Sequence, residues 1–242
     1  MIHLITYGNS VFAKSKRRIE NQAINLRWFD KIKLYGPKHL DSNFKKNFKR
    51  VLDLPKGGGY YIWKPYIIKK HLDKMNDEDI LIYMDAGCFI NPSGSERFKE
   101  YVSMLKNSEE GCISFQMPHL LEICWTVKEV FAYFNINNDN LNITESGQIM
   151  ATVRMFKKNA NTMNIVSAWL NALYQNPLLF TDYYNKNNQN KRLIENRYDQ
   201  SIISILSKLY KTIILQDETY FEEGFGSKKA SAYPFWATRL KG

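Results

Sequence analysis

The run of residues 79–85, DILIYMD, constrains the fold more than any other feature of the chain. The side chains between its two acidic ends are all apolar, without the polar alternation of a half-exposed strand. Strands that are buried on both faces are typical of parallel sheets covered by helices on both sides. Because other short β-rich runs alternate with helical patterns, the sequence predicts a Rossmann-like α/β fold with a central, mainly parallel sheet flanked by helices.

The remaining elements follow from the same patterns. They predict strands at 2–7, 31–35, 112–116, 149–156 and 211–215, and helices at 13–28, 64–75, 163–174 and 201–210. Two asparagine-rich stretches, 135–142 and 185–196, are interpreted as surface loops because elements flank both of them. With 242 residues and no recognisable linker, we expect one domain over residues 1–242.

The charge of the chain leaves its class of partner open. The formal net charge is +10, from 34 Lys and Arg against 24 Asp and Glu, but the basic residues are scattered along the chain. Scattered charges are typical of solvated helix faces, and no nucleic-acid-binding motif accompanies them. No nucleic-acid partner is therefore expected, although a non-catalytic basic α/β module that binds RNA or an anionic surface remains an alternative.

The cysteines and the N-terminus bear on the compartment. Three cysteines without CxxC spacing argue against a disulfide framework and a zinc site, and favour a reducing environment. The N-terminal residues lack the pattern of a signal peptide, and no apolar run reaches the ~18 residues of a membrane helix. We expect a cytoplasmic protein; contact with the inner membrane surface and the oligomeric state stay open.

The end of the apolar strand is the first candidate site. Asp85-Ala86-Gly87 follows it directly, and ligands of open α/β sheets bind beyond the carboxyl ends of the strands. A carboxylate there can hold a divalent cation, which in turn neutralises a diphosphate leaving group. Asp85 could equally do no more than cap the turn that follows the strand.

A glycine-rich segment is the second candidate site. Residues 57–65, GGGYYIWKP, run into a predicted helix, and such a segment can offer backbone N–H groups to an anion. Lys64 adds a positive charge for a phosphate, and Trp63 can form a wall against a sugar or base. A flexible turn with aromatic packing is the alternative interpretation of this segment.

Two further segments carry polar side chains next to predicted elements. Asp199 and Gln200 begin a predicted amphipathic helix, where an acid could bind a sugar hydroxyl or serve only as a helix cap. Glu145 and Gln148 precede a predicted strand and could bind hydroxyls or form a turn. The four histidines show no metal-ligand spacing.

Taken together, these segments make the chain similar to a family of small bacterial and giant-virus glycosyltransferases of the GT-A type. The matching residues lie at 6–8, 14–17, 57–68, 79–91, 148–158, 196–206 and 234–242. The combination of WKPYII with the strand that ends in DAG is the most specific part of the resemblance. The resemblance implies a hexosyltransferase-like enzyme of glycan biosynthesis that moves a sugar from a nucleotide-sugar donor, here a UDP-sugar, to a glycan or lipid-linked glycan acceptor.

The resemblance also implies how the chain is divided and what holds the donor. Residues 1–116 would bind mainly the donor, and residues 117–242 mainly the acceptor. Asp85 would be the surviving acid of the DxD-type motif that binds Mn²⁺ or Mg²⁺ with the nucleotide diphosphate. Gly87 stands where that motif has its second acid, so the sequence departs from the family pattern here.

The motifs and the resemblance together nominate individual residues. Asp85, Asp199 and Glu145 are the candidate catalytic residues, with Asp199 or Glu145 as the base of an inverting reaction. The candidate donor-binding residues are Thr6, Tyr7 and Gly8 at the base and ribose, Lys14 and Arg17 at the ribose or phosphate, Trp63 against a sugar or base, Lys64, Ala86 and Gly87 near the diphosphate, Gln148 and Gln200 near the sugar, and Arg239 closing over the diphosphate. A phosphoryl or nucleotidyl transferase using the same acid is the alternative enzyme.

Overall fold

The computed structural model describes residues 1–137 and 139–240. Asn138, in the predicted loop 135–142, lies outside the described residues. So do Lys241 and Gly242, the last two residues of the matching segment 234–242.

The described residues form nine strands and twelve α-helices, several of them single turns, besides five short 3-10 helices. The strands are β1 Ile2–Tyr7, β2 Lys31–Tyr35, β3 Ile80–Met84, β4 Phe89–Ile90, β5 Cys112–Leu121, β6 Gly147–Ile149, β7 Val153–Lys157, β8 Ile213–Gln216 and β9 Phe235–Trp236. The helices are α1 Ala13–Leu26, α2 Ser42–Asn47, α3 Lys49–Leu52, α4 Gly57–Tyr60, α5 Trp63–Leu72, α6 Ser95–Lys106, α7 Glu122–Trp125, α8 Lys128–Tyr133, α9 Leu141–Thr144, α10 Ala160–Gln175, α11 Asp199–Leu209 and α12 Lys228–Ser231.

The strands form a central sheet that is mainly parallel, as predicted. Its order is β2-β1-β3-β7-β5-β6, with β8 paired to β5, while β4 and β9 form a separate two-stranded sheet. In the central sheet β1, β2, β3, β5 and β8 run in one direction, and β6 and β7 run in the other. The carboxyl ends of β1, β2 and β3 therefore meet at one edge of the sheet.

The strand predicted at 149–156 is two strands in the structure. β6 and β7 both run antiparallel to β5, but the chain leaves the ladder between them. The reason lies in the backbone carbonyls of Ala151 and Thr152, which bond to Lys64 and to the backbone N–H of Asp85. The single-strand prediction is wrong at these residues, which lie at the carboxyl edge of the sheet beside β3.

The apolar run of β3 is buried on both faces, as its sequence predicts. Leu81 and Tyr83 belong to the core between the sheet and the helices α5, α10 and α11. Ile80, Ile82 and Met84 belong to the core on the other face, which includes α1 and α6. The helices that carry the predicted site residues Lys64 and Asp199 thus pack on the same face as Tyr83.

Several helices were not predicted. In α6 the buried residues Phe98, Tyr101 and Leu105 follow the helical period, so that the pattern was present in the sequence. Many of the others are single turns, which are too short for a periodic signal. In the part of the chain that the structure describes, no helix has the length and apolar character needed to cross a bilayer.

Candidate functional site

Three elements bring Lys64, Asp85 and Asp199 together at the carboxyl edge of the sheet. Lys64 lies in the first turn of α5, Asp85 directly follows β3, and Asp199 begins α11. The Lys64 Nζ atom is 2.8 Å from Asp199 Oδ2 and 3.3 Å from Asp85 Oδ1. Two carboxylates that are far apart in sequence therefore share one ammonium group.

The Lys64 side chain is only 3% exposed, but its charge is fully satisfied. Besides the two carboxylates, Nζ donates to the carbonyl oxygen of Ala151 at 3.3 Å. A buried charge requires partners of this kind, and two ion pairs and one hydrogen bond supply them. The rings of Tyr61 and Tyr83 add their faces, with centroids 5.4 and 5.2 Å from Nζ.

The burial of this cluster changes the pKa values of its members. Burial raises the pKa of Asp199 to about 6, with the charge of Asp85 adding to the rise and Lys64 opposing it. For Lys64, burial favours the neutral amine, but the charges of Asp199 and Asp85 outweigh it and raise the pKa above its ordinary value. Lys64 therefore remains a cation, and the two acids and the lysine carry one net negative charge when all are ionised.

We expect the Asp199 carboxyl to titrate near pH 6. The groups that face it are Lys64, Asp85, Tyr61 and Tyr83. Because its pKa in the folded state lies above the ordinary 3.8, protonation of Asp199 favours folding. This contribution is complete below pH 3.8 and is lost as the pH rises through about 6.

The measurement is the urea midpoint of unfolding as a function of pH, for wild type and for Asp199→Asn. The difference in urea midpoint between the two proteins should change between pH 3.8 and about pH 6. A pH-independent difference would contradict the raised pKa, and ¹³C NMR of the carboxyl group gives a second readout.

Asp85 is the carboxylate of the cluster that is open to solvent, with its side chain 32% exposed. Its Oδ1 accepts from the Tyr83 hydroxyl and faces Lys64, while none of the described residues binds Oδ2. Tyr83 was missed by the sequence analysis, although a residue two positions earlier in a strand points to the same face as Asp85. The open Oδ2 is the atom of the cluster best placed to meet a ligand.

The turn after Asp85 is held by the C-terminal segment and by α1. The carbonyl oxygen of Gly87 accepts from Thr238 Oγ1 at 2.8 Å and from the Leu240 N–H at 2.9 Å. A Cβ atom at position 87 would lie 3.0 Å from the Cα of Arg239, so that glycine allows this close approach. The predicted diphosphate residues Ala86, Gly87 and Arg239 are thus brought together, and the Arg239 side chain is exposed.

The basic side chain of α1 that contacts the turn after Asp85 is not one of those predicted. The exposed residues Lys14 and Arg17 form no hydrogen bond or ion pair within the described residues. Arg18 instead donates through Nη2 to the carbonyl oxygens of Ala86 and Cys88, both at 3.2 Å. Ser15 and Ile19 belong to the buried face of α1, and Arg18, three positions after Ser15, lies beside that face. This helical spacing could have identified Arg18 from the sequence.

The glycine-rich segment does not offer the free N–H groups that the sequence led us to expect. The N–H groups of Gly58, Gly59 and Tyr60 already bond to the backbone carbonyls of Pro55, Leu54 and Lys56. Residues 57–61 all have positive φ, so that the short segment α4 is a tight left-handed turn that precedes α5 and not a right-handed helix. The turn fixes the start of α5 and therefore the position of Lys64.

Gly59 should tolerate alanine much less well than Gly58. Both residues have positive φ, which costs an alanine roughly 1–2 kcal/mol. At Gly59 the new Cβ would also lie 2.6 Å from the Cα of Leu52, whereas at Gly58 its nearest neighbour is 3.9 Å away. We expect Gly59→Ala to lose about 1–3 kcal/mol more stability than Gly58→Ala, measured by urea unfolding. Equal losses would contradict the packing of this turn.

Trp63, which was predicted to form a wall against a sugar or base, packs against other side chains of the protein. The rings of Tyr7 and Trp63 stack on each other with centroids 3.8 Å apart, and Trp63 donates to the Gly57 carbonyl. Both side chains are buried, and so is Thr6. The carbonyl oxygen of Gly8 accepts from Lys16 Nζ at 2.7 Å, a contact that sequence analysis did not predict.

Gln148 and Gln200 link the site to a buried polar network. Gln148 Nε2 donates to Glu122 and to the Thr126 hydroxyl, and its oxygen accepts from Gln200 Nε2 at 2.7 Å. Gln200 in turn accepts from the N–H of Ala151, the residue whose carbonyl binds Lys64. These residues position the backbone around Lys64. Glu145, in contrast, forms a surface ion pair with Arg192 and does not contact Lys64, Asp85 or Asp199.

The side chains around Asp85 do not fit a divalent cation. Among residues 1–137 and 139–240, no three His, Cys, Asp or Glu side chains lie close enough together to hold a metal ion. Lys64 already occupies the space between the two acids, and the position of a second motif acid is Gly87, packed against Arg239. A divalent ion here would have one open carboxylate oxygen from the chain, Asp85 Oδ2, and would need substrate phosphates and water for the rest of its ligands.

The comparisons with known proteins bear on the fold. No family model and no curated protein sequence matches the chain. The chain is similar to a glycosyltransferase involved in the glycosylation of the major capsid of PBCV-1, with 11% identity and a TM-score of 0.50 over 97% of this chain and 91% of that chain.

Two other solved structures are similar at a lower score. They are the galactosyltransferase LgtC with donor and acceptor sugar analogues, at 10% identity and a TM-score of 0.48 over 96% of this chain and 83% of that one, and mouse xyloside xylosyltransferase 1, at 10% identity and a TM-score of 0.48 over 98% and 97%. The likeness to the capsid-glycosylating enzyme, together with the sheet described above, shows that the chain has an α/β fold of the GT-A type.

Proposed function

We propose that the chain is a glycosyltransferase that moves a sugar from a nucleotide-sugar donor to a hydroxyl acceptor. The observation that carries this proposal is the buried Lys64, held between Asp85 and Asp199 at the carboxyl edge of a GT-A-type sheet. Ligands of open α/β sheets bind at this edge. The fold, together with the open carboxylate oxygen of Asp85, favours a site for a polar donor that carries hydroxyl groups.

In the reaction, the acceptor oxygen forms a bond to C1 of the donor sugar while the bond from C1 to the diphosphate oxygen breaks. The electron pair of the broken bond leaves with the phosphate, and the acceptor proton passes to that departing oxygen. Asp199 is 5% exposed and Glu145 is paired with Arg192, so the proposal assigns neither of them as the base. Asp85 Oδ2 would accept a hydroxyl of the donor, and Asp199 would position Lys64.

The catalytic contribution of the chain is then mainly positioning and electrostatic. A fixed cation next to a developing negative charge lowers the barrier because it needs no reorganisation during the reaction. The donor would be held mainly by residues 1–116, and the acceptor, a glycan or a lipid-linked glycan, mainly by residues 117–242. We place this reaction in the cytoplasm.

The test is the release of nucleoside diphosphate from a panel of UDP-, GDP- and CDP-sugars. An unknown acceptor does not prevent the measurement, because water can slowly replace it. We expect release from one donor by wild type and its loss in Asp85→Asn. Release of pyrophosphate would instead indicate nucleotidyl transfer, and silence across the panel would contradict the proposal and favour a binding module.

A further inference from the structure

The oxygen atoms around the turn after Asp85 are almost all occupied by hydrogen-bond donors of the chain itself. The carbonyl oxygens of Ala86 and Cys88 accept from Arg18, and that of Gly87 accepts from Thr238 and Leu240. The carbonyl oxygen of Asp85 itself accepts from the N–H of Cys88. A hard cation prefers oxygen ligands of this kind, but these carbonyl oxygens already accept hydrogen bonds from the chain.

Two of the oxygens that face the cluster are committed in the same way, while Asp85 Oδ2 is open to solvent. Asp85 Oδ1 accepts from Tyr83 and faces Lys64, and the carbonyl of Ala151 accepts from Lys64. The ammonium group stands between two carboxylates, at 2.8 and 3.3 Å, in the position that a bridging divalent ion would take. Binding such an ion there would require either expulsion of Lys64 or two cations in contact.

Positive charge is supplied instead by side chains on three segments. Lys64 comes from α5 and Arg18 from α1, while Arg239 belongs to the C-terminal segment that packs on Gly87. Arg239 is exposed, and its side chain has no partner among the described residues. A guanidinium group without a partner can bind two phosphate oxygens at once, and the Cα of Arg239 packs against the glycine two positions after Asp85.

We infer that the donor diphosphate is bound and neutralised by fixed cations of the chain, and that sugar transfer needs no divalent metal. This inference rests on the proposed function. Arg239 makes the direct contact with the diphosphate, and Lys64 supplies a buried charge behind Asp85. When the bond from C1 to the diphosphate oxygen breaks, the electron pair that moves to this oxygen is stabilised by the Arg239 guanidinium, and no metal takes part.

The test is calorimetric titration of UDP, GDP, CDP and ADP into the full chain, once with excess EDTA and once with excess Mn²⁺. We expect one nucleoside diphosphate to bind with about the same Kd under both conditions. In EDTA, Arg239→Ala should weaken that binding about 10- to 100-fold, the usual effect of losing a hydrogen bond to a charged group. Arg50→Ala, which removes an exposed arginine from α3, is the matched control and should bind like wild type.

The outcomes separate the inference from the proposed function. Binding in Mn²⁺ but not in EDTA would overturn the inference and leave the glycosyltransferase assignment intact. Equal effects of Arg239→Ala and Arg50→Ala would also overturn it, because the contact at Arg239 would then be unspecific. If none of the four nucleotides binds under either condition and no nucleotide-sugar is hydrolysed, the proposed function fails together with the inference.

Discussion

Replacing Lys64 with methionine is expected to abolish sugar transfer and to destabilise the fold at the same time. Asp85 would lose the ammonium group that holds it, and the misplaced donor and altered charge should lower kcat by about 10²–10³-fold. Asp199 would be left buried without its partner, and breaking a buried ion pair in this way costs about 3–5 kcal/mol. Both quantities can be measured on one preparation, by nucleoside diphosphate release and by urea unfolding.

A double variant separates the two effects. In Lys64→Met with Asp199→Asn, no buried charge remains without a partner, so most of the lost stability should return. Transfer should stay as low as in the single variant, because the cation is still missing. Lys69→Met is the matched control, since Lys69 is in the same helix and pairs with Asp73 at the surface. Recovery of both stability and transfer in the double variant would show that Lys64 has only a structural role.

Asp85→Asn should reduce transfer by at least about 100-fold while leaving the fold intact. Asparagine has nearly the same shape, but it removes the charge that faces Lys64 and the carboxylate oxygen that is open to a ligand. A misplaced substrate alone can cost about 100-fold in rate. Stability should change little, because Asp85 is partly exposed and Lys64 keeps Asp199 as its partner.

The control for this variant is Asp73→Asn, which alters an exposed acid of the surface pair with Lys69. It should retain the activity of wild type. The readouts are the rate of nucleoside diphosphate release and the unfolding temperature of each protein. Turnover near the level of wild type in Asp85→Asn would remove Asp85 from the proposed site.

The central part of the fold could be predicted from the sequence because its signals are strong and local. The apolar run of β3 indicates burial on both faces, and the helical periods of α1, α5, α10 and α11 are visible in their sequences. The break between β6 and β7 could not be predicted. It depends on backbone carbonyls that turn towards Lys64 and Asp85, and backbone carbonyls leave no mark on residue type.

The candidate site, too, could be predicted only in part. Asp85, Lys64 and Asp199 were each nominated separately, but no pattern in the sequence indicated that one ammonium group would bridge the two acids. That contact depends on the way α5 and α11 pack on the same face of the sheet. Arg18 was missed in favour of Arg17 because the two differ by one position, which in a helix separates a buried flank from an exposed one.

The most direct test of the proposed site is a crystal structure of the chain with the nucleoside diphosphate that binds most tightly. The account predicts the diphosphate at the carboxyl edge of the sheet, above the turn from Asp85 to Cys88, with the Arg239 guanidinium on its oxygens. A hydroxyl of the bound nucleotide would lie within hydrogen-bond distance of Asp85 Oδ2. A nucleotide bound elsewhere, for example in the surface groove between Glu129, Leu178 and Tyr183, would contradict the account.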